Sequence, residues 1–489
     1  MFNSVVEAIF HHANTQPDKL CLADDAGKVT YREYADAIAR CAACLTRAGI
    51  KPGDKLVVEA CQTIDYLALQ QALQLIGGVF VPVEHNSTPS RLENFAALSG
   101  AAGIVACAEQ AADIPFKATF EQLAKACADA EPMVPAAFPA RKTVCEILFS
   151  TGTTGKEKGI VLTHGNNIAL AENVMGGVEM LGDNVELIPS PLNHSHGLRR
   201  YYANMVNGSS VVLLGSVMNM RKFIADLDEY GVNSIDMVPS ALSVALKLSK
   251  NRLADYGDQL RYIQFGAAPM PEADRLRICE LLPKTRLYNF YGSTESGCTA
   301  LYNFNRPDAK HSCIGKPACN ARIFTVDDDR NPVVATRENP GLLAFAGPMN
   351  TLGYWQNPEE TEKLLKDGTV YSNDIAYFDE DGDIILMGRR GDVINVGGSK
   401  VSPDEIEDVA RQLPGVADCG VIPVDDPVKG SVPKLFVQMK PGHAFDARAI
   451  HEGIARHLEP VKRPVYIVEI DRIPRSFNGK LLRRELKAL

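Results

Sequence analysis

The sequence lacks a long uninterrupted apolar run, an excess of basic residues and a signal-like N-terminus. Its richest apolar stretch, YLALQQALQLIGGVFVPV, is broken by glutamines and a glycine pair before it could span a bilayer. The net charge of −9 argues against a nucleic acid or an anionic membrane as the main partner, because phosphates attract basic surfaces. In MFNSVVEAIFHHANTQ no apolar core follows a basic segment, so we expect no secretory signal and a cytoplasmic protein.

The sequence also lacks a disulfide-like or zinc-like cysteine pattern, although it contains 12 cysteines. One close pair, Cys41 and Cys44 in RCAACLTRAG, is spaced by about one helical turn on an apolar face. No second pair completes a set of four metal ligands. We therefore expect two small core residues here, with a redox or metal role as the alternative.

The pattern of helices and strands predicts an α/β fold. Amphipathic segments such as TYREYADAIARCAACLTRAG alternate with short apolar strands such as KLVVEA, GVFVPV and GIVAC, which indicates layers of sheets and helices. From about residue 340 short strands and glycine turns predominate, and a boundary is expected near Arg390. The prediction is a large multi-subdomain N-terminal domain, residues 1–390, and a small α+β C-terminal domain, residues 391–489.

One loop is rich in glycine, threonine and lysine and directly follows an apolar strand, in EILFSTGTTGKEKG. Its glycines let backbone N–H groups point inward, and its hydroxyls and lysines add donors, so the loop suits an anion. It is not a Walker A loop, because the residue five after Gly152 is Glu157 rather than glycine. Taken alone, the segment could equally be a hydrophilic surface loop.

Further segments place this loop in a known context. In the order of the chain, five segments resemble motifs of the adenylate-forming superfamily, which includes acyl-CoA synthetases, luciferases and the adenylation domains of peptide synthetases. They are STGTTGKEKG at 150–159 (phosphate loop), NFYGSTESG at 289–297 (Y-G-x-T-E), YSNDIA at 371–376 (ribose site), GRRGDVINVGGSKVSPDEIE at 388–407 (hinge) and PRSFNGKLLRREL at 474–486 (lysine motif). Several ordered motifs along essentially the whole chain are far more specific than any one of them.

This resemblance implies an AMP-forming acid–thiol ligase that uses ATP, Mg²⁺ and CoA. A carboxylate attacks the α-phosphorus of ATP and expels pyrophosphate, so cations and N–H groups must offset the repulsion between two anions. The acyl group then passes to the thiol of CoA. A carrier-protein phosphopantetheine is the alternative acceptor, since its thiol is chemically the same. A non-catalytic relative is disfavoured because Lys480, Glu295 and Asp374 are all present.

The resemblance also implies roles in ATP binding. Glu295 would ligate Mg²⁺ and Thr294 would approach the α-phosphate, while Tyr291 would stack on adenine. The residues implied for the phosphates are Ser150, Thr151, Gly152, Thr153, Thr154 and Lys158, and those implied for the nucleoside are Gly266, Ala267, Ala268, Tyr291, Asp374 and Arg389.

The small domain would be mobile and would carry the lysine of the first half-reaction. Lys480 would reach between the substrate carboxylate and the α-phosphate to stabilise developing charge. Between half-reactions the domain would rotate about Gly391, where the family more often has Asp or Lys. Glycine permits large changes of backbone angles, so a hinge remains plausible at this position.

The segment PLNHSHGLRRYYANMVNG is expected to line the acyl pocket. His196, Arg199 and Arg200 share a helical face, so at least one arginine could point inward. An inward guanidinium would require an anionic partner such as a second carboxylate, whereas both arginines could instead be surface or interface residues. His194 matches the family's gating position, with a plain core histidine as the alternative.

The size of the pocket is suggested by Phe290, which would narrow it, although ordinary core packing is the alternative. Ser195 stands where amino-acid-activating relatives usually have Asp, which weighs against an amino acid. A small to medium carboxylic acid is therefore predicted, with a dicarboxylic or polar acid as one option.

Overall fold

The structure is a computed structural model that describes residues 1–110, 113–151, 157–268, 270, 272–310, 312–396, 399–427, 430–475, 479 and 481–489. Its helices are α1 Val5–Thr15, α2 Tyr31–Arg47, α3 Ile64–Leu75, α4 Pro89–Ser99, α5 Phe120–Ala128, α6 His164–Gly177, α7 Ser195–Asn207, α8 Met220–Glu229, α9 Pro239–Ser249, α10 Glu272–Leu281, α11 Pro358–Leu364, α12 Pro403–Arg411, α13 Ala447–Ala455 and α14 Arg483–Lys487, with short 3₁₀ helices at Arg252–Tyr256 and Pro460–Lys462. Its strands are β1 Leu20–Ala23, β2 Lys28–Thr30, β3 Lys55–Glu59, β4 Val79–Val83, β5 Gly103–Ala106, β6 Phe116–Thr119, β7 Val144–Thr151, β8 Glu157–Thr163, β9 Val185–Ile188, β10 Ser210–Leu213, β11 Ser234–Met237, β12 Tyr262–Phe265, β13 Arg286–Ser293, β14 Gly297–Asn303, β15 Cys313–Pro317, β16 Arg322–Val326, β17 Pro332–Val333, β18 Gly341–Ala346, β19 Gly353–Tyr354, β20 Leu365–Lys366, β21 Thr369–Phe378, β22 Ile384–Arg389, β23 Ile394–Val396, β24 Ser399–Val401, β25 Val416–Asp426, β26 Gly430–Met439 and β27 Tyr466–Glu469.

Helix α2 shows how the sequence determines these elements locally. Thr30 accepts a hydrogen bond from the Glu33 backbone N–H, and the Glu33 side chain accepts one from the Thr30 backbone N–H, which caps the first turn. The apolar face turns Ile38, Cys41 and Cys44 into the core. The expectation that the two cysteines are small core residues is therefore confirmed.

Two large sheets enclose the main core. One has the strand order β19-β8-β7-β4-β3-β5-β6, and its central strands β4, β3, β5 and β6 run parallel. The other follows the order β17-β16-β18-β21-β22-β15-β14-β13-β12-β11-β9-β10-β1-β2, with β20 beside β21. Residues of α1, α2, α3, α6 and α7 form one apolar cluster with residues of both sheets, so these helices are packed between them.

A smaller sheet of order β24-β23-β26-β25, with β27 parallel to β26, has its own apolar cluster. The predicted α/β class, with a large layered part and a small C-terminal part, is confirmed. Strand β22 ends at Arg389 in the largest sheet and β23 begins at Ile394 in the smaller one. The division at residues 390 and 391 stays a prediction. In the described part of the chain, none of the helices has the length and apolar character needed to cross a membrane.

Glu146 on β7 is a carboxyl group buried inside the large domain, where it is 1% exposed. Its Oε1 accepts hydrogen bonds from Gln70 Nε2 at 3.2 Å, from Gln74 Nε2 at 3.1 Å and from the Tyr202 hydroxyl. Burial raises the pKa of Glu146 to about 7, although these hydrogen bonds oppose the shift. The folded protein therefore keeps a proton on this carboxyl that the unfolded chain releases at lower pH.

We expect Glu146→Gln to change how stability depends on pH. Burial raises the pKa of Glu146 in the folded state, so the bound proton stabilises the wild-type protein. This contribution to the free energy of unfolding is complete below about pH 4.5 and is lost as the pH rises through about 7. The free energy of unfolding of the wild type, relative to the variant, should fall by roughly 3 kcal/mol between about pH 4.5 and 8. Urea unfolding at several pH values measures this difference. If the free energies of unfolding of the two proteins changed with pH in parallel, the pKa of Glu146 would not be raised in the folded protein.

Candidate active site

Three residues predicted to bind the nucleoside meet on strands of the largest sheet. Asp374 on β21 is paired in register with Arg389 on β22, and Tyr291 lies on β13. The Tyr291 hydroxyl donates to Asp374 Oδ2 at 2.6 Å, and Arg389 Nε donates to Asp374 Oδ1 at 3.0 Å. Burial, followed by the charge of Asp374, raises the pKa of Tyr291, so its hydroxyl remains a donor. A carboxylate beside a guanidinium offers the acceptors and donors that a ribose diol needs.

The turn after β12 lies beside the predicted acyl pocket. It contains further residues predicted to bind the nucleoside, in addition to the cluster of Tyr291, Asp374 and Arg389, which is called the nucleoside cluster below. A methyl group at Gly266 would lie 3.0 Å from His196 Cε1 and 3.1 Å from Phe290 Cβ, so a larger residue would displace one of them. Ala267 has a φ of +70°, in the left-handed region that side chains rarely adopt. Gly266 thus packs directly against His196 and Phe290, as expected if the nucleotide and the acid bind side by side.

Glu295 and Thr294 lie in the turn between β13 and β14. Ser293 and Ser296 fix this turn, since each hydroxyl accepts a hydrogen bond from the other residue's backbone N–H, at 3.1 and 3.2 Å. The Tyr354 hydroxyl donates to Glu295 Oε1 at 2.9 Å. Mg²⁺ in nucleotide sites is commonly held by one or two carboxylates together with phosphate oxygens, so this fixed carboxylate fits the predicted ion.

The phosphate loop lies between β7 and β8. Ser150 on β7 is paired with Lys158 on β8, so the hairpin brings both predicted residues to the base of the loop. Gly152, Thr153 and Thr154 lie outside the described residues, and Thr151 is described only as the last residue of β7. Lys158 Nζ is 2.5 Å from Glu360 Oε2 and 5.1 Å from the centre of the Tyr354 ring. No local pattern pointed to Tyr354 or Glu360, because both lie about 200 residues from Lys158 in the chain.

We expect Glu360→Gln to strengthen ATP binding. Glu360 is paired with the Lys158 ammonium, and hydrogen bonding from Lys158 and then Lys363 lowers the pKa of Glu360 to about 2. If Lys158 binds phosphate as predicted, the ionised Glu360 would compete with that phosphate at neutral pH. Removing one partner of a partly exposed ion pair should lower the KM for ATP by up to about fivefold. Glu359→Gln is the matched control, because Glu359 pairs with Lys363 rather than Lys158. An unchanged or higher KM for ATP in Glu360→Gln would contradict the competition.

The first turn of α7 carries the predicted acyl-site residues. His194 is the residue before the helix, and burial lowers its pKa. His196 Nε2 is 3.0 Å from Asp236 Oδ1, and the Ser190 hydroxyl donates to Asp236 Oδ2 at 2.6 Å. Asp236 is fully buried; burial opposes its ionisation, but His196 and Arg200 lower its pKa below the ordinary value. Asp236 was missed by the sequence reading, although a lone acid within the buried strand SIDM was a visible signal.

The structure separates the two adjacent arginines. Arg200 makes a bidentate ion pair with Glu186 at 2.6 and 2.7 Å and also donates to Gln264 and Tyr262. Its expected place in the acyl pocket is therefore corrected, because all three of its nitrogens are already engaged in the core. Both residues are buried, so the surface alternative is wrong for both.

Arg199 is buried without a carboxylate partner in the described part of the chain. Its Nε and one terminal nitrogen donate to the backbone oxygen and hydroxyl of Ser195 at 2.9 and 2.7 Å. Its other terminal nitrogen has no hydrogen-bond partner among the described residues. Its guanidinium lies 4.1 Å from the centre of the Phe290 ring, and Phe290 stacks edge-on against His196 at 6.0 Å. Burial lowers the pKa of Arg199 to about 10, and it remains a cation at neutral pH.

The C-terminal motif residues are described only in part. Lys480 lies outside the described residues. Gly479, immediately before it, lies over the large domain, since a methyl group there would be 3.4 Å from Ser240 Cβ. Gly391 has a φ of +85°, where glycine is favoured, and its backbone oxygen accepts from Lys487 Nζ at 3.1 Å. Its role as a hinge stays a prediction.

Comparison with known proteins gives the family of the chain. Residues 9–355 match the AMP-binding enzyme family and residues 405–480 match the AMP-binding enzyme C-terminal domain. The chain belongs to the AMP-binding enzyme family. The 2-succinylbenzoate–CoA ligase of Bacillus cereus (strain ATCC 10987 / NRS 248) is 29% identical over 98% of each chain. The feruloyl-CoA synthase of Amycolatopsis sp. is 28% identical over 97% of this chain and 96% of that protein.

Solved structures agree with this assignment at the level of the fold. ATP-bound MatB from Rhodopseudomonas palustris superposes with a TM-score of 0.88, at 22% identity over 100% of this chain and 99% of that one. The o-succinylbenzoate CoA synthetase of Bacillus subtilis, in complex with its acyl-adenylate, gives 0.84 at 23% identity over 98% and 97%. The predicted superfamily and the predicted AMP-forming acyl-CoA ligase class are confirmed, and ATP and CoA fit as its substrates.

Proposed function

We propose that the acid activated by this acyl-CoA ligase carries a second anionic group, which binds the guanidinium of Arg199. The observation that carries the proposal is a buried cation with one unpartnered terminal nitrogen. An unpaired buried charge is costly, so a protein that retains one is expected to pair it in another state. An acid with two carboxylates would present one to ATP and the other to Arg199.

The residues around Arg199 favour an acid of limited length. Phe290 covers one face of the guanidinium at 4.1 Å, and Gly266 packs on both Phe290 and His196. A long aliphatic chain would have to pass these side chains and would place no anion near Arg199. We therefore propose a small to medium dicarboxylic acid. Relatives named for 2-succinylbenzoate and feruloyl-CoA support an organic acid as the substrate.

The roles of the ATP-site residues belong to the same proposal. Tyr291, Asp374 and Arg389 would hold the nucleoside, Ser150 and Lys158 the phosphates, and Glu295 would hold Mg²⁺ beside Thr294. When bound, Mg²⁺ would neutralise charge on the phosphate oxygens. Residues 1–390 would bind ATP and the acid, and residues 391–489 would act as a mobile lid carrying Lys480. CoA is the proposed acceptor; the relatives give no support to a carrier protein, and a cytoplasmic location stays a prediction.

The test is pyrophosphate release with paired mono- and dicarboxylic acids of equal chain length, with and without CoA. We expect kcat/KM to be about 10- to 150-fold higher for the dicarboxylic member of the best pair, the value of one hydrogen-bonded charge. Acyl-CoA detected by mass spectrometry should appear only when CoA is present. Equal kcat/KM for both members of every pair would contradict the dicarboxylic proposal, while acyl-adenylate without acyl-CoA would contradict CoA as the acceptor.

A further inference from the structure

Two thiols and an imidazole converge at one edge of the sheet that carries the phosphate loop. Strands β3, β4 and β5 run parallel and side by side, so their carboxyl ends meet there. Cys61, His85 and Cys107 each follow one of these strands within two residues. Their ligand atoms all lie within 4.8 Å of one another. We propose that Cys61, His85 and Cys107 form a binding site for a thiophilic divalent cation of the zinc type.

The distances suit such an ion with small adjustments. The sulfur atoms of Cys61 and Cys107 are 3.1 Å apart. Two thiolates at a tetrahedral zinc with bonds of about 2.3 Å would be about 3.8 Å apart, so the loops need to open by less than about 1 Å. Cys107 and His85 are exposed, which permits this movement. Two sulfurs and one imidazole nitrogen, with solvent in a fourth position, form a ligand set that zinc accepts.

A buried carboxylate fixes the loops that carry two of these ligands. Glu59, at the end of β3, is 4% exposed. Its Oε1 accepts from the Asn86 backbone N–H at 2.8 Å, and its Oε2 accepts from the Cys107 backbone N–H at 2.9 Å. Its Oε1 also lies 3.7 Å from His85 Nδ1. Metal-binding histidines commonly have a carboxylate behind the ring, which orients it and offsets the charge of the cation. Glu59 is thus a positioning residue for the site.

The state of the thiols gives the proposal a measurable consequence. Burial, followed by hydrogen bonding with Cys107, raises the pKa of Cys61, and burial also raises the pKa of Cys107. Both sulfurs are therefore protonated at neutral pH before a metal binds. Each must lose its proton as it becomes a thiolate ligand, so one bound cation displaces two protons into solution.

The site cannot be read from the spacing of cysteines in the sequence. Cys61 and Cys107 are separated by 46 residues, and no local pattern joins them. Only the order of the strands, β4-β3-β5, brings the three loops together. None of the three ligands is among the residues predicted to bind ATP, and the predicted carboxylates Glu295 and Asp374 belong to the other large sheet.

The proposal is tested by titrating Co²⁺ alone into the full-length protein. The protein is first purified without metal and its thiols are kept reduced. We expect one equivalent to bind, with the near-ultraviolet thiolate-to-cobalt band and the visible bands of a tetrahedral site, and with release of two protons. Zn²⁺ should abolish these bands by displacement. Cys107→Ser and His85→Ala should each weaken Co²⁺ binding by at least about tenfold, and Cys107→Ser should diminish the thiolate band.

Cys319→Ser is the matched control, because Cys319 is an exposed thiol away from the cluster. It should bind Co²⁺ like the wild type. Thermal unfolding of each metal-free variant checks that it is folded, which the exposure of Cys107 and His85 favours. The proposal is overturned if the reduced wild type binds no Co²⁺, or if Cys107→Ser and the wild type give the same spectrum. It is also overturned if Cys61 and Cys107 form a disulfide with a mild oxidant and, when re-reduced, still take up no metal.

Discussion

Replacing Arg199 with methionine is expected to lower kcat/KM for a dicarboxylic acid by about 10- to 150-fold while changing stability little. The guanidinium has no carboxylate partner in the described part of the chain, so its loss leaves no acid unpaired. Methionine has a similar length and is apolar, and its sulfur packs well on the ring of Phe290. Because removing an unpaired buried charge relieves its desolvation cost, the free energy of unfolding should stay equal or rise slightly.

The neighbouring substitution Arg200→Met is the control and should give the opposite result. It would leave the Glu186 carboxylate buried without its bidentate partner, at a cost of about 3 to 5 kcal/mol in the free energy of unfolding. Urea unfolding measures stability for both variants, and the paired acids measure substrate preference. If Arg199→Met kept the full preference for the dicarboxylic acid, Arg199 would not be its partner. If it unfolded like Arg200→Met, its role would be structural.

The contrast between these arginines shows what the sequence could and could not predict. The spacing of His196, Arg199 and Arg200 correctly placed all three on one helix. Arg200, and not Arg199, is paired in the core because Glu186 on β9 and Gln264 on β12 lie within reach of it. These partners are fixed by how the helix packs on the sheet, and no local pattern carries that information. If the predicted orientation of the helix is wrong by one residue, the arginine paired in the core and the arginine beside the acyl pocket are exchanged.

The residues predicted to bind the nucleoside could be found in the sequence because each lies in a motif of its own, although their role stays a prediction. Tyr291, Asp374 and Arg389 come from three ordered segments, and the structure joins them by hydrogen bonds. Partners that lie outside such motifs were missed, as Asp236 was for His196 and Glu360 was for Lys158. The cluster of Cys61, His85 and Cys107 was also missed, because it depends on the order of the strands in the sheet. The motifs therefore identified side chains that the fold brings together, whereas the partners that hold those side chains in place could be identified only from the fold.

The other large effect is expected at Lys480, which should act in the first half-reaction only. Gly479 packs near Ser240, directly after β11, the strand whose Asp236 contacts His196. Gly479, the residue before Lys480, thus lies close to the segment that follows this strand. Losing one cation that stabilises developing charge should lower the rate of acyl-adenylate formation by about 10²- to 10³-fold in Lys480→Ala. Transfer of the acyl group to CoA from supplied acyl-adenylate should change little. In that step the thiol attacks the acyl carbon and AMP leaves, and no bond at the α-phosphorus is formed or broken.

Arg484→Ala makes the same change of charge at an exposed position four residues away and should leave both half-reactions near the wild-type rates. Pyrophosphate release in single turnovers reports the first half-reaction, and acyl-CoA formed from synthetic acyl-adenylate reports the second. An equal loss in both would mean that Lys480→Ala impairs the lid as a whole rather than charge stabilisation. Unchanged pyrophosphate release would remove Lys480 from the chemistry altogether. A loss confined to adenylation is the result that separates the effect of the lysine's charge from an effect on the proposed motion of its domain.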